Sequence, residues 1–148
     1  MIFMRATALF ISLFVTGPVV MGHDSTTSLR SCHQLQTDEK DSRTQAQKKI
    51  DSQLLYAIYQ MRGEAEAKGV PTEPIVLRRD SKDRVLVDIR SQVTRKLISR
   101  VRRVGGTILS TSQKDHSLIA YVPLNQIEKL AQLDEVRFIS QPSEAITN

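Results

Sequence analysis

Hydrophobic residues alternate with polar ones, or recur at helical spacing, along residues 85–139, and this pattern predicts six elements. The first strand, Val85–Ile89, places Val85, Val87 and Ile89 on one face and Asp88 on the other. A helix follows over Val93–Val104 and stops at Gly105-Gly106, and two strands come next, over Thr107–Ser112 and Ser117–Val122. The last two elements are a strand over Val136–Ile139 and, before it, a helix that carries Leu124, Ile127, Leu130, Ala131 and Leu133.

The order β-α-β-β-α-β predicts an α+β domain over residues 85–140 with a ferredoxin-like split βαβ topology, in which both helices lie on one face of the sheet. One extra amphipathic helix is predicted before it, over residues 46–68, because apolar residues recur at helical spacing until Gly69-Val70-Pro71. Residues 69–84 then form a connector, and residues 141–148 form an extended tail without periodicity. This fold hosts many functions and so identifies none.

The N-terminal residues 1–22 have the pattern of a secretory signal peptide, with a basic head, an apolar run and the small residue Gly22 at its end. We therefore expect a secreted, periplasmic or extracellular protein with no stable membrane span after cleavage. An uncleaved anchor is the alternative, although Gly17-Pro18 interrupts the run. Residues 23–45 are polar and predict a disordered leader.

A single cysteine, Cys32, lies in that leader, so an internal disulfide is excluded. A free thiol is expected there, with lipidation as the less favoured alternative.

The net charge of +5 is concentrated in residues 78–103, which hold ten Lys and Arg residues. On the predicted helix these are Arg95, Lys96, Arg100, Arg102 and Arg103. This raises polyanion binding as a hypothesis. RNA-binding domains of this fold stack bases on aromatic residues of the middle strands, and residues 107–112 contain none. The pattern therefore favours a solvated helix face and no nucleic-acid partner.

No catalytic constellation is visible, and the chain is expected to be non-enzymatic. Its three histidines include two in the polar leader, and the third, His116, follows Asp115 in a predicted hairpin turn. Neither a zinc-protease motif nor a nucleophile-elbow motif is present. No metal-ligand spacing appears either, so neither a metal nor another cofactor is expected.

Five short segments, in order after the predicted signal peptide, give the chain a family resemblance. They read Val-Leu-Val-Asp-Ile, Val-Thr-x-x-Leu-Ile, Val-Gly-Gly-Thr-Ile, Leu-Ile-Ala-Tyr-Val-Pro-Leu and Leu-Ala-Gln-Leu-Asp-Glu-Val-Arg-Phe-Ile. Over residues 46–148, and most strongly over 85–142, the chain resembles the N-terminal prodomain of secreted bacterial subtilisin-like serine proteases and the free-standing inhibitors of that fold.

The resemblance implies a module that inhibits a subtilisin-like protease and assists its folding, in cis or in trans. The open sheet face would pack on two helices of the protease, and the tail would lie as an added strand in the substrate cleft. The implied tail residues are Glu144, Ala145, Ile146, Thr147 and Asn148. The acidic residue expected to cap the protease helices is Asp115, for which an ordinary turn aspartate is the equal alternative.

Two departures leave alternatives open. No catalytic-domain motif follows Asn148, so the chain is expected to be a free inhibitor or the leading fragment of a longer precursor. Pro142 interrupts strand pairing and Ala145 is small, which weakens the expectation of tight inhibition. An extracellular protein-interaction module without a protease partner is the competing hypothesis.

Overall fold

The structure, a computed structural model, describes residues 39–142, an α+β arrangement built on a four-stranded antiparallel sheet. Its helices are α1 (Gln45–Lys48), α2 (Ser52–Arg62), α3 (Arg95–Arg103) and α4 (Ile127–Ala131), with a 3₁₀ turn at Leu124–Gln126. Its strands are β1 (Val85–Ser91), β2 (Thr107–Ser112), β3 (Ser117–Val122) and β4 (Val136–Ser140). Residues 39–42 are also helical. None of the helices in this part of the chain is both long and apolar enough to cross a bilayer.

The strand order across the sheet is β2-β3-β1-β4. The central strand β1 pairs with β3 on one side and with β4 on the other, and β2 pairs with β3 in a hairpin. All four strands predicted from alternation are confirmed. The predicted bounds of β2 and β3 are those observed, while β1 and β4 extend to Ser91 and Ser140.

One face of the sheet carries the core. Val85, Val87 and Ile89 of β1 are fully buried there, as alternation predicts, and they share one apolar cluster with the buried residues of the helices. The helical contributors include Leu54, Leu55 and Ile58 of α2, Leu97 and Val101 of α3, and Ile127, Leu130 and Ala131 of α4. Since burying one such aliphatic side chain contributes about 1.5–3 kcal/mol, this shared layer dominates the stability of the fold.

The first predicted domain helix forms as α3, one turn shorter than its apolar pattern. Thr94 caps it, because its hydroxyl accepts a hydrogen bond from the Leu97 backbone N–H at 3.1 Å. At the other end Gly105 takes a left-handed φ of 86°, and the Gly106 N–H donates to the Val101 carbonyl at 2.9 Å. A Cβ on Gly106 would lie 2.7 Å from Val101 Cγ1, so glycine is required for this close turn.

The second predicted domain helix begins as a 3₁₀ turn at Leu124–Gln126 and continues as α4 to Ala131. Leu133, which the prediction placed on this helix, lies beyond its end and packs against the core as a partly buried side chain.

The single helix predicted over residues 46–68 is wrong, because two helices, α1 and α2, form there. Between them Ile50 forms a parallel bridge with Ile139 of β4. The Asp51 N–H donates to the Ile139 carbonyl, and the Ile139 N–H donates to the Lys49 carbonyl, both at 2.8 Å. These sheet-edge bonds take the backbone out of the helical path, and α2 then ends at Gly63, which has a left-handed φ of 72°.

The disordered leader predicted over residues 23–45 is wrong at its C-terminal end. Glu39 is buried, and its two carboxylate oxygens accept hydrogen bonds from Arg43 at 2.8 Å each. The Tyr59 hydroxyl on α2 donates to Glu39 at 3.3 Å, which ties this segment to the core. Residues 1–38, including the predicted signal peptide and Cys32, lie outside the described residues, as do residues 143–148.

We expect Ile58→Ala to reduce the free energy of unfolding by about 2–5 kcal/mol, because it leaves a cavity at a fully buried position of α2. Met61→Ala is the matched control on the same helix, since Met61 is 50% exposed, and it should cost much less. Urea unfolding monitored by circular dichroism measures both. Equal, small effects would show that α2 is an accessory element rather than part of the core.

Stability should also fall at alkaline pH through Tyr59. Burial and the adjacent Glu39 carboxylate raise the pKa of Tyr59 from 10.0 to about 12. The folded state therefore holds this proton more tightly than the unfolded state, so the stabilisation is complete below pH 10 and is lost as the pH rises toward 12. Tyr59→Phe should flatten the fall in melting temperature over this range, and Tyr121→Phe, the control, should leave it in place.

Candidate protein-binding face

The second face of the sheet points away from the helical layer, and we call it the outer sheet face. The strand register defines it, because directly paired residues lie on the same side of a sheet. Its members form three rungs across the strands, namely Thr107–Tyr121–Leu86, Ser110–Ile119–Asp88–Ser140 and Ser112–Ser117–Arg90–Phe138. One end of this face is therefore mainly apolar and the other mainly polar, with Phe138 at the polar end 39% exposed.

A buried carboxylate organises the centre of the outer sheet face. Asp88 points away from the core as predicted, yet it is only 8% exposed because neighbouring strands shield it. Its Oδ1 accepts a hydrogen bond from the Ser117 hydroxyl at 2.6 Å, and its Oδ2 lies 3.0 Å from Arg90 Nε. A buried carboxylate must be paired in this way, so Asp88 holds β3 and the Arg90 side chain in place.

Arg90 links this centre to the turn between β2 and β3. Its guanidinium donates to the Asp115 backbone carbonyl at 3.3 Å, and the Ser91 N–H donates to the His116 carbonyl at 2.8 Å. His116 has a left-handed φ of 52°, a conformation that is uncommon for residues other than glycine, although histidine adopts it more often than most. The end of β1 therefore supports the turn through two independent contacts.

Asp115 is exposed at this turn, where the sequence placed it. The Ser112 hydroxyl donates to Asp115 Oδ2 at 2.6 Å, and the Asp115 N–H donates back to the same hydroxyl at 3.2 Å. This reciprocal pair orients the carboxylate at the rim of the outer sheet face. The structure thus brings Asp115 together with the Asp88–Arg90 centre, a connection that the sequence did not predict.

A shallow groove of about 420 Å³ crosses the polar end of the outer sheet face. Asp88, Arg90, Asp115 and Ile119 line it, together with Pro142 beyond the end of β4. The chain therefore leaves the sheet at the groove. The predicted tail residues Glu144, Ala145, Ile146, Thr147 and Asn148 lie outside the described residues.

The predicted basic residues Arg95, Lys96, Arg100, Arg102 and Arg103 are all exposed on α3, on the opposite side of the molecule from the outer sheet face. Lys96 Nζ lies 3.9 Å from Glu135 Oε2. Within residues 39–142 the other four make no ion pair with a carboxylate.

Three buried or half-buried glutamates were missed by sequence reasoning. Besides Glu39, Glu128 of α4 accepts from Gln47 at 2.9 Å and from Arg62, and although burial raises its pKa, these two partners bring the pKa below the usual range. Glu135 has one carboxylate oxygen, Oε1, that is buried without a hydrogen-bond partner among the described residues. Arg43 lies four residues after Glu39, a local spacing that could have indicated this ion pair, whereas the partners of Glu128 come from tertiary contact.

The region from residue 39 to residue 142 contains no group of His, Cys, Asp or Glu side chains arranged to hold a metal ion. The outer sheet face presents a mixed apolar and polar grid, with the Asp115 carboxylate held by Ser112 at its rim. Comparisons with protein-family models, with curated proteins and with solved structures found no match to this chain.

Proposed function

We propose that this chain is a secreted, non-catalytic, prodomain-like module that binds a subtilisin-like serine protease as an inhibitor, a folding chaperone or both. One observation carries the proposal: all the helical packing is on one face of the sheet, while the other face presents a structured polar and apolar grid. We also propose that residues 85–140 have ferredoxin-like topology. The order β2-β3-β1-β4, with β1 and β2 separated by β3, supports this.

The outer sheet face is suited to packing against helices of a partner. Ile119 and Tyr121 supply partly exposed apolar surface on β3, and Phe138 supplies it on β4, while Leu86 of β1 is buried. Interfaces of this kind gain most of their affinity from a few buried apolar or aromatic side chains, with a polar rim around them. Arg90, Ser112 and Asp115 would form that rim.

The tail would bind by strand addition in the protease cleft. The chain reaches Pro142 beside the groove, and a proline has no backbone N–H to donate to a sheet ladder, which supports a role for the segment after it outside this sheet. In an extended substrate-like segment, backbone hydrogen bonds supply affinity and the side chains of Ala145 and Ile146 supply selectivity. Asn148 would lie nearest the catalytic serine.

Asp115 would accept hydrogen bonds from the N-terminal N–H groups of the partner's helices. Its backbone is tied to Arg90 and its side chain to Ser112, so little ordering entropy is lost on binding. A carboxylate at a helix N-terminus contributes about 0.3–1 kcal/mol.

The proposal predicts that the purified full chain slows peptide hydrolysis by a subtilisin-like protease competitively at micromolar concentration. Deletion of Ala145–Asn148 should abolish this effect, because the segment that occupies the cleft is lost, while the thermal unfolding of the protein should not change. Steady-state inhibition kinetics with several proteases of this class measure the effect.

The variant Phe138→Ser distinguishes the contact made by the outer sheet face from the contact made by the tail. It should weaken inhibition and leave competitive kinetics intact. If no protease were slowed and none refolded faster in the presence of the chain, the protease-binding proposal would be overturned. The extracellular interaction module without a protease partner would then take its place.

Asp115→Asn should raise the inhibition constant about two- to five-fold, which corresponds to the loss of one carboxylate–helix contact. Asp134→Asn is the matched control, because Asp134 is also exposed and carries the same charge, but lies outside the outer sheet face. Equal effects of the two variants would assign any change to net charge and remove the capping role from Asp115.

A further inference from the structure

The side of α3 that faces away from the core is covered by positive charge. Leu97 and Val101 are fully buried, and Ile98 packs against the core, so the helix leaves no large apolar side chain unpacked. The exposed residues fall in two rows at helical spacing, Arg95–Ser99–Arg102 and Lys96–Arg100–Arg103. We call this surface the basic face.

The N-terminal part of the basic face is unfavourable for the isolated helix, whereas Arg100, Arg102 and Arg103 lie in the last turn, where the helix dipole favours cations. Lys96 and Arg100 are like charges four residues apart, and like charges at this spacing repel each other. Arg95 and Lys96 also lie in the first turn, where the helix dipole disfavours cations, and that turn has no acidic residue. Within residues 39–142, Lys96 alone among the five cations lies near a carboxylate, at 3.9 Å from Glu135. An anionic partner would relieve this repulsion.

We propose that the basic face binds anionic phospholipid headgroups, so that the protein lies peripherally on a membrane surface. A plane of phosphates matches two parallel rows of long, flexible cationic side chains on a convex helix. The absence of exposed apolar residues on α3 indicates contact at headgroup level rather than insertion into the acyl chains.

A lipid partner is favoured over single-stranded nucleic acid. Proteins that bind single strands combine a basic groove with aromatic residues on which bases stack. The helix α3 is convex and contains no aromatic residue. The N-terminal residues 1–22 also predict export across a membrane, which would place the chain beside lipid.

This proposal does not depend on protease binding, because the basic face and the outer sheet face lie on opposite sides of the sheet. The protein could therefore hold both partners at once. Variants of the basic face should leave protease inhibition unchanged.

The test is co-sedimentation of the full chain with vesicles of phosphatidylcholine alone and of phosphatidylcholine with about one-third phosphatidylglycerol. The readout is the partition coefficient on the anionic vesicles divided by that on the neutral vesicles. The apolar residues 1–22 contribute equally to both coefficients, so their contribution cancels in this ratio. The variant Arg95→Gln, Arg100→Gln, Arg103→Gln should lower this ratio about 100-fold, since each cation near an anionic membrane contributes about five-fold. The ratio should approach one at about 1 M salt, where the Debye length is about 3 Å.

The matched control is Lys40→Gln, Lys82→Gln, Lys114→Gln, which removes three exposed positive charges from three separate segments. It should retain most of the preference for anionic vesicles. Circular dichroism and thermal melting should show that both triple variants are folded. Equal losses in the two variants would reduce the effect to net charge and overturn the proposal. So would displacement of the protein from the vesicles by a small excess of single-stranded DNA.

Discussion

The structure depends on one constraint, which is that the four-stranded sheet buries a single face. Val85, Val87 and Ile89 of the central strand require an apolar cover, and α2, α3 and α4 provide it from the same side. Both crossover connections must therefore pass over this face, which leaves the other face to solvent or to a partner. The outer sheet face and the basic face of α3 are both consequences of this layering.

The junction at Ile139 couples the two parts of the described chain. Its side chain is fully buried, and its backbone bonds to Lys49 and Asp51, which lie between α1 and α2. The segment before the connector is thus not an appendage of the domain at residues 85–140. It pairs the backbone N–H and carbonyl of Ile139 at the edge of β4, which would otherwise be unpaired in this sheet. At the opposite edge of the sheet, a bulge near Leu109 breaks the regular ladder of β2.

Charge is distributed according to the same layers. Glu39 and Asp88, the buried acidic residues of the described chain, are held by fixed partners, Glu39 by Arg43 and Asp88 by Ser117 and Arg90. The cations of α3, in contrast, are concentrated on its solvent side with few partners. A protein that held a protease on its outer sheet face and a membrane on its basic face would act as an adaptor between them. The order of its layers permits this because neither surface interferes with the other.

The sequence by itself determined the elements whose signals are local. The bounds of β2 and β3 follow from alternation around a polar turn, and α3 follows from an apolar stripe between Thr94 and Gly105-Gly106. It also placed Asp115 in its turn. Only the tertiary structure decided the break at Ile50, because that break depends on pairing with Ile139, far along the chain. The burial of Glu39 and Asp88, and the contact of Arg90 with the Asp115 turn, were decided in the same way. Strand register and packing bring these partners together, and no local pattern of residues specifies them.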